Sequence, residues 1–407
     1  MQVLKIIIPL VVIKRIMDIF KYSEEELITR GGFRTATEIN QQPSVWRETT
    51  DKFSQQFDSL SSFIRKSLEE VDCIIFTGAG TSSFIGYSLA GLSFKYLRKQ
   101  SQAVATTEIV TFPEYYFNSD NSCLIVSFAR SGNSPESKAA LELADRYCKK
   151  CFHLIFTCDA EGDLAQYRSV NPVKIFVLPE STNDKSLAMT GSYSSMLLCG
   201  LVTILATKKI VPNLNSQLEL AFELGEKFLA NGIASVKSIA DKPFKRAVFL
   251  GSGSLYGTAS EGALKLQELT NGEIICKADT FMGFRHGPKA VIHEDTLVVY
   301  FFSNDEYVHR YEMDLLNDMS RGSKALFHLG VSQKPIQTDI LDCQINFNDT
   351  ETALAEELQL LNFIIPAQLL GFFKSLKLGL KPDTPSLNGA ISRVVEGVHI
   401  YPVTEVS

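Results

Sequence analysis

Apolar runs of strand length alternate with helical stretches along this chain, and the alternation occurs twice. The segment "VDCIIFTGAGTSSFIGYSLAGLSFKYL" reads as a strand, a glycine-rich turn and a helix of small and apolar residues. "RAVFLGSGSLYGTASEGALKLQEL" repeats it, with Gly78 matching Gly251, Gly80 matching Gly253 and Thr81 matching Ser254. Each copy is followed by a second apolar strand that ends near a serine, "CLIVSFARSGNS" and "TLVVYFFSNDEY". Gly78 and Ser131 lie 53 positions apart, and Gly251 and Ser303 lie 52 apart, so the pattern predicts a tandem duplication. Further strands are expected at 153–159 and 173–180. Strands alternating with helices predict parallel sheets covered on both faces, with a ligand site where strand C-termini meet helix N-termini.

The helical stretch near 215–242 joins the two copies. The chain then divides into an N-terminal arm (1–50), a first α/β domain (51–235), a second (236–380) and a C-terminal tail (381–407). The tail, "KPDTPSLNGAISRVVEGVHIYPV", is expected to wrap back over a domain. The start, "MQVLKIIIPLVVIKRIMDIF", carries an eight-residue apolar run, too short to span a bilayer and lacking a small-residue cleavage site. A weak signal-peptide core is one reading; the normal polar segment that opens at Met17 favours an extension upstream of a start there or a loosely attached arm.

Composition narrows the function classes. Of 407 residues 45% are apolar and 21% charged, as in ordinary globular material. Forty Lys and Arg against 46 Asp and Glu give a net charge of −6, which offers no basic footprint for nucleic acid. Eight scattered cysteines fit small buried side chains in a reducing, cytoplasmic setting rather than a disulfide framework. Cys148 and Cys151, with His153 beside them, have metal-type spacing, but the sequence offers no second pair to complete four ligands, and no metal is assigned.

Two turns are built for an anion. In "FTGAGTSSF" the glycines turn the backbone and expose amides at a helix N-terminus, while Thr81, Ser82 and Ser83 add hydroxyls. A dinucleotide fingerprint would need glycine where Ser83 stands, and a P-loop lysine is absent, so neither a Rossmann dehydrogenase nor a P-loop nucleotide site is expected. "SFARSGNSPES" repeats the device, with Ser131 and Ser134 facing the anion and Pro135 opening the next helix. The plain alternative is that these serines only cap the helix. The second copy carries "FFSNDEY" instead, whose carboxylate would repel phosphate, so only the first domain is expected to bind one.

In the second copy, Ala259, Ala263, Leu266 and Leu269 form an apolar stripe of a helix, while Glu261, Lys265 and Glu268 share another face. A solvated salt-bridge ladder is the competing reading of that face. The loop "GFRHGPKAVI" follows, in which glycines and a proline fix His286, a side chain suited to moving protons near neutrality. Phosphate anchor, carboxylate and histidine together suit sugar-phosphate isomerisation. The imidazole opens the pyranose ring and the carboxylate moves a proton between C1 and C2, with no metal, nicotinamide or other cofactor required.

The stretches "TGAGTSS", "ARSGNSPES" and "EGALKLQE…FRHGP" resemble the SIS (sugar isomerase) fold, and their order resembles the isomerase half of glucosamine-6-phosphate synthase. "NDKSLAMTGSYSSM", "YFFSNDEY" and "SRVVEGVHIYP" bring the chain closer to the two-SIS family of tagatose-6-phosphate ketose/aldose isomerases and galactosamine-6-phosphate deaminase/isomerases, over roughly residues 20 to 407. This resemblance implies two tandem SIS domains, each a parallel sheet flanked by helices in a flavodoxin-like three-layer sandwich. It also implies a phosphate site of Gly80, Thr81, Ser82, Arg130, Ser131 and Ser134. Glu268 is implied as the base at C1 and C2, His286 as the ring-opening group, and Lys265 as a nearby charge partner. His286 would come from the neighbouring subunit of a homodimer with shared sites. Ile391 falls where the synthase has its C-terminal lysine, so Asn388 or Arg393 is expected to line the site instead. Nothing in residues 1–60 is able to fold into an ammonia-generating domain, which makes hydrolytic deamination the expected direction. The function implied is conversion of D-galactosamine 6-phosphate to D-tagatose 6-phosphate and ammonia. Alternatives are aldose–ketose isomerisation without loss of nitrogen, and a non-catalytic sugar-phosphate sensor.

Overall fold

The structure is a computed structural model and describes residues 18–322, 324–347, 353–386, 388–395 and 397–402. The apolar run at the start of the chain lies outside them. Helices α1 (Glu24–Thr29), α2 (Phe33–Asn40), α3 (Gln42–Gln55) and α4 (Phe57–Glu70) lead in. A first α/β unit follows, with β1 (Cys73–Thr77), α5 (Thr81–Leu97), β2 (Gln100–Ala103), α6 (Thr106–Thr111), β3 (Ser122–Ala129), α7 (Pro135–Tyr147), β4 (Lys150–Thr157) and β5 (Val173–Val177). Helices α8 (Gly191–Thr207), α9 (Leu214–Asn231) and α10 (Ile233–Ala240) cross to the second unit. That unit holds β6 (Arg246–Gly251), α11 (Leu255–Leu269), β7 (Ile275–Asp279), α12 (Phe281–Phe284), β8 (Thr296–Phe301), α13 (Glu306–Met319), β9 (Phe327–Ser332), β10 (Cys343–Asn346) and α14 (Gln359–Lys377).

The duplication read from the sequence is a duplication of topology. One sheet runs β2-β1-β3-β4-β5 and the other β7-β6-β8-β9-β10, all pairs parallel. Central strands such as β3, "SCLIVSFA", are buried along their whole length because helices cover both faces, which is why they read as unbroken apolar runs. The turn after the first strand of each unit is also duplicated. Gly80 and Gly253 take φ of +56° and +58°. A Cβ on Gly78 would come within 2.6 Å of Ser82, so this turn requires glycine.

The inner faces of the two sheets share one core. Phe76, Val126 and Phe128 of the first sheet and Phe249, Val299 and Phe301 of the second belong to it, as do residues of α8 and α14. The outer faces form separate cores beneath α7 and α13. The expected arm is part of the shared core through Leu27, Ile39 and Trp46, and α3 runs on through residue 51. Every residue of α14 from Gln359 to Leu376 is buried.

Candidate active site

A cavity of about 1300 Å³ opens where the C-terminal ends of β1 and β3 meet the N-termini of α5 and α7. This volume accommodates a phosphorylated hexose. Gly80, Thr81, Ser82, Ser131 and Ser134 line one wall, Lys265 and Glu268 another, and Arg130 and Arg393 a third. Asn388 is exposed and does not line the cavity, its Oδ1 accepting from the Ala390 amide at 3.1 Å. His286 is exposed on the loop after α12 and also lies outside the cavity of its own chain.

The two serine turns behave differently in detail. Ser134 occupies the N-cap position of α7, yet its hydroxyl makes no capping hydrogen bond, so the plain helix-capping reading does not account for it. Ser131 Oγ accepts from the Asn133 amide at 3.3 Å, within a turn that Gly132 completes at φ +70°. Ser83 was expected to offer a hydroxyl to the anion. It donates instead to the Gly80 carbonyl at 2.7 Å and so closes the turn on itself. The Arg130 guanidinium donates to the carbonyls of Ser186 (3.3 Å) and Leu187 (3.0 Å) and to that of Arg393, and burial lowers its pKa. Arg393 in turn donates to the Asp184 carbonyl and to Asn183 Oδ1, both at 2.7 Å. The phosphate turn, the 183–190 loop and the tail are therefore tied together through these two arginines.

Helix α11 carries the acid and amine. Its Glu–Lys–Glu face was open to a solvated reading; in the structure Glu261 and Lys265 are fully buried. Lys265 Nζ donates to Thr81 Oγ1 at 3.0 Å and to Glu268 Oε2 at 2.5 Å, with Glu261 Oε1 at 3.4 Å. The bond to Thr81 joins the second copy's helix to the first copy's glycine turn, which brings the acid and amine to the serine wall. Burial alone would depress the Lys265 amine, but Glu261 and Glu268 outweigh it and hold its pKa above the ordinary value. Burial pushes the Glu261 carboxyl up to about 8 against the pull of Lys265, with Glu268 adding to the rise.

The second copy's equivalent turn is filled by the protein itself. The Ser303 amide donates to both Glu312 oxygens, at 3.1 and 3.3 Å, and Ser303 Oγ donates to Glu356. Glu312 is fully buried, so a carboxylate of α13 stands where the first copy leaves its turn open.

No family model matches the chain. A D-galactosamine-6-phosphate deaminase AgaS from Shewanella sp. (strain ANA-3) is 36% identical over 385 residues, covering 93% of this chain and 95% of that protein. The chain belongs to the AgaS family. A crystal structure from Clostridium novyi NT superposes with a TM-score of 0.91 at 39% identity, over 95% of this chain and 100% of the other. A tagatose-6-phosphate ketose/aldose isomerase from Escherichia coli gives a TM-score of 0.81 at 34% identity, over 91% and 97% of the two chains. The tandem α/β architecture of these AgaS-type proteins is thus the architecture described above.

Sequence reasoning did not find the burial of Glu261 or the part played by Leu187 and Met189, which also line the cavity. The "NDKSLAMTG" stretch was noticed for its resemblance alone, and no local pattern marks a loop that is held from below by Glu38 and Asp184.

Proposed function

We propose that this AgaS-family chain is an enzyme that converts D-galactosamine 6-phosphate and water to D-tagatose 6-phosphate and ammonia. The observation that carries the reading is the Lys265–Thr81 hydrogen bond, through which the acid and amine of α11 share one cavity with the hydroxyl-lined turns. The phosphate binds to the turns of the first domain (51–235), held by Gly80, Thr81, Ser82, Ser131 and Ser134, with Arg130 behind them. Remote binding there positions the reacting carbons, which need no contact with the phosphate itself.

In this reading His286, delivered by the neighbouring subunit of a homodimer, shuttles a proton between ring oxygen and hydroxyl and opens the ring. Its exposure outside the cavity of its own chain supports delivery across a subunit boundary. Glu268 then takes the C2 proton of the open-chain aldehyde and returns a proton to C1, while a proton lost by the amino nitrogen is taken up by O1, leaving a hydroxyl at C1 and an imine at C2. Lys265, charged and bonded to Glu268, steadies the negative charge that develops on O1. Water adds to the imine carbon and ammonia leaves, which makes the reaction a hydrolytic deamination coupled to isomerisation. A cytoplasmic location belongs to the same reading; among the described residues no helix is long and apolar enough to cross a membrane. The name of the Escherichia coli structure favours a second reading on the same residues, aldose–ketose isomerisation without loss of nitrogen.

Ammonia release from galactosamine 6-phosphate, set against glucosamine 6-phosphate, tests the proposal. Wild type should release ammonia, and Glu268→Gln should lower kcat by about 10² or more. Isomerisation of tagatose 6-phosphate with no ammonia from either amino sugar would transfer support to the second reading. Binding without turnover of any substrate would leave only a sensor.

A further inference from the structure

Three cysteines of the first sheet stand in one line. The parallel register pairs Cys73 of β1 with Cys123 of β3, and Cys123 with Cys151 of β4. They lie at the N-terminal edge of the sheet, the end opposite the serine turns. Together with Cys148, the C-cap of α7, they belong to the outer-face core. The Sγ atoms of Cys73 and Cys123 are 3.1 Å apart, and Cys148 neighbours Cys123 and Cys151 in the same core. The Cys-x-x-Cys motif that lacks a second pair in the sequence therefore meets one in space, as a continuous chain of four thiols. Cys73 and Cys148 are half-buried, and Cys123 and Cys151 are buried.

Two chemistries suit such a chain, and geometry separates them. A metal ion gathers three or four sulfurs around one centre. Strands two apart in the sheet hold the backbones of Cys73 and Cys151 about 9.6 Å apart, which spreads the sulfurs along a line. Among the described residues, the candidate ligands that do come within 4.8 Å of one another are Asp145, Cys151 and His153. Those are already committed, His153 Nε2 to Asp145 at 2.7 Å and Cys151 Sγ to the Ala144 carbonyl at 3.0 Å. A disulfide needs only two sulfurs. In-register neighbours, about 4.8 Å apart, fall within the roughly 4.4–6.8 Å Cα separation that a disulfide spans.

We propose that Cys73 and Cys123 form a reversible disulfide that staples β1 to β3, with Cys148 as the thiol through which a peroxide-class oxidant enters. The Cys148 sulfur attacks peroxide, the O–O bond breaks, one water leaves and a sulfenic acid remains. Cys123 displaces that hydroxyl as a second water and forms a bond to Cys148. Cys73 then attacks the Cys123 sulfur, forms the Cys73–Cys123 bond and returns Cys148 as a thiol. Overall two thiols lose two hydrogens and two electrons, and one peroxide is reduced to two waters. Against the pull of Cys123, the neighbouring Cys151 and burial hold the attacking Cys148 thiol above its ordinary value, and Cys148 with burial pushes the Cys123 thiol up to about 12, so the relay is slow near neutrality and is best read from a dose series.

The test exposes the purified full chain to graded hydrogen peroxide, alkylates it, and maps peptides without reductant. The expected product is a peptide pair linking Cys73 to Cys123, lighter by two hydrogens than the reduced pair and dispersed by dithiothreitol. Cys148→Ser should slow its formation several-fold, and Cys73→Ser should trap a Cys123–Cys148 link instead. Oxidation of Cys148 with no Cys73–Cys123 link at any dose overturns the proposal. So does a stoichiometric zinc in the purified protein that shields all four thiols from alkylation.

Discussion

A carboxylate with no exposed surface is expensive to keep charged, and Glu261 holds one beside the Lys265 ammonium with neither oxygen closing a hydrogen bond. Its pKa of about 8 in the folded chain, against 4.5 for the free group, fixes a sign. The folded state keeps a proton that the unfolded state releases, so stability falls as pH rises from 4.5 to about 8 and levels off above that. Glu261→Gln has no such proton to lose. It should gain on wild type by on the order of a few kcal/mol between pH 5 and pH 9, as read by urea unfolding at the two pH values. An identical pH slope in both proteins would mean that Glu261 is ionised throughout. The spacing of Glu261, Lys265 and Glu268 was legible in the sequence, because three residues on one helix face follow from a period of 3.6. Whether that face meets water was not legible, since the residue that Lys265 bonds, Thr81 on α5, lies 184 positions away.

At the scale of elements, the strands were read well because a parallel strand buried on both faces leaves an unbroken apolar run between glycine turns. Helix α14 was not, because a segment apolar on all sides has no periodicity to say what it packs against. Its packing on α11 depends on small residues. A Cβ on Gly371 would meet Leu269 Cδ1 at 2.8 Å and the Lys265 carbonyl oxygen at 3.0 Å, and one on Gly262 would meet Ala367 Cβ at 3.0 Å. Helix α11 is thus seated directly on backbone at the turn that carries Lys265 and Glu268. Gly371→Val should separate the two helices, cost about 1–3 kcal/mol of stability, and lower kcat/KM by displacing Lys265, and Glu268 with it, from Thr81. Thermal unfolding and steady-state kinetics on one preparation would check this, and a destabilised variant with unchanged kcat/KM would show that the helix contact serves folding alone.

For the molecule as a whole, duplication has produced two similar turns of which, among the described residues, one opens on the hydroxyl-lined cavity and the other is occupied by Glu312. The second unit contributes α11 to that site, while its loop His286 is exposed and does not line the same chain's cavity. A site completed by a partner would make each dimer carry two mixed sites, each with Glu268 from one chain and His286 from the other. Two inactive variants then allow a test. Glu268→Gln and His286→Ala chains, each inactive alone, are co-expressed in equal amounts so that about half of the dimers are hybrid. One of the two sites in each hybrid pairs an intact Glu268 with an intact His286, and the mixture should recover about a quarter of wild-type kcat per chain. If each site is instead built within one chain, every site in every dimer lacks one of the two groups and activity stays at the level of the separate variants. Recovery near one quarter, lost again when the two variants are purified apart, would place His286 across the subunit boundary.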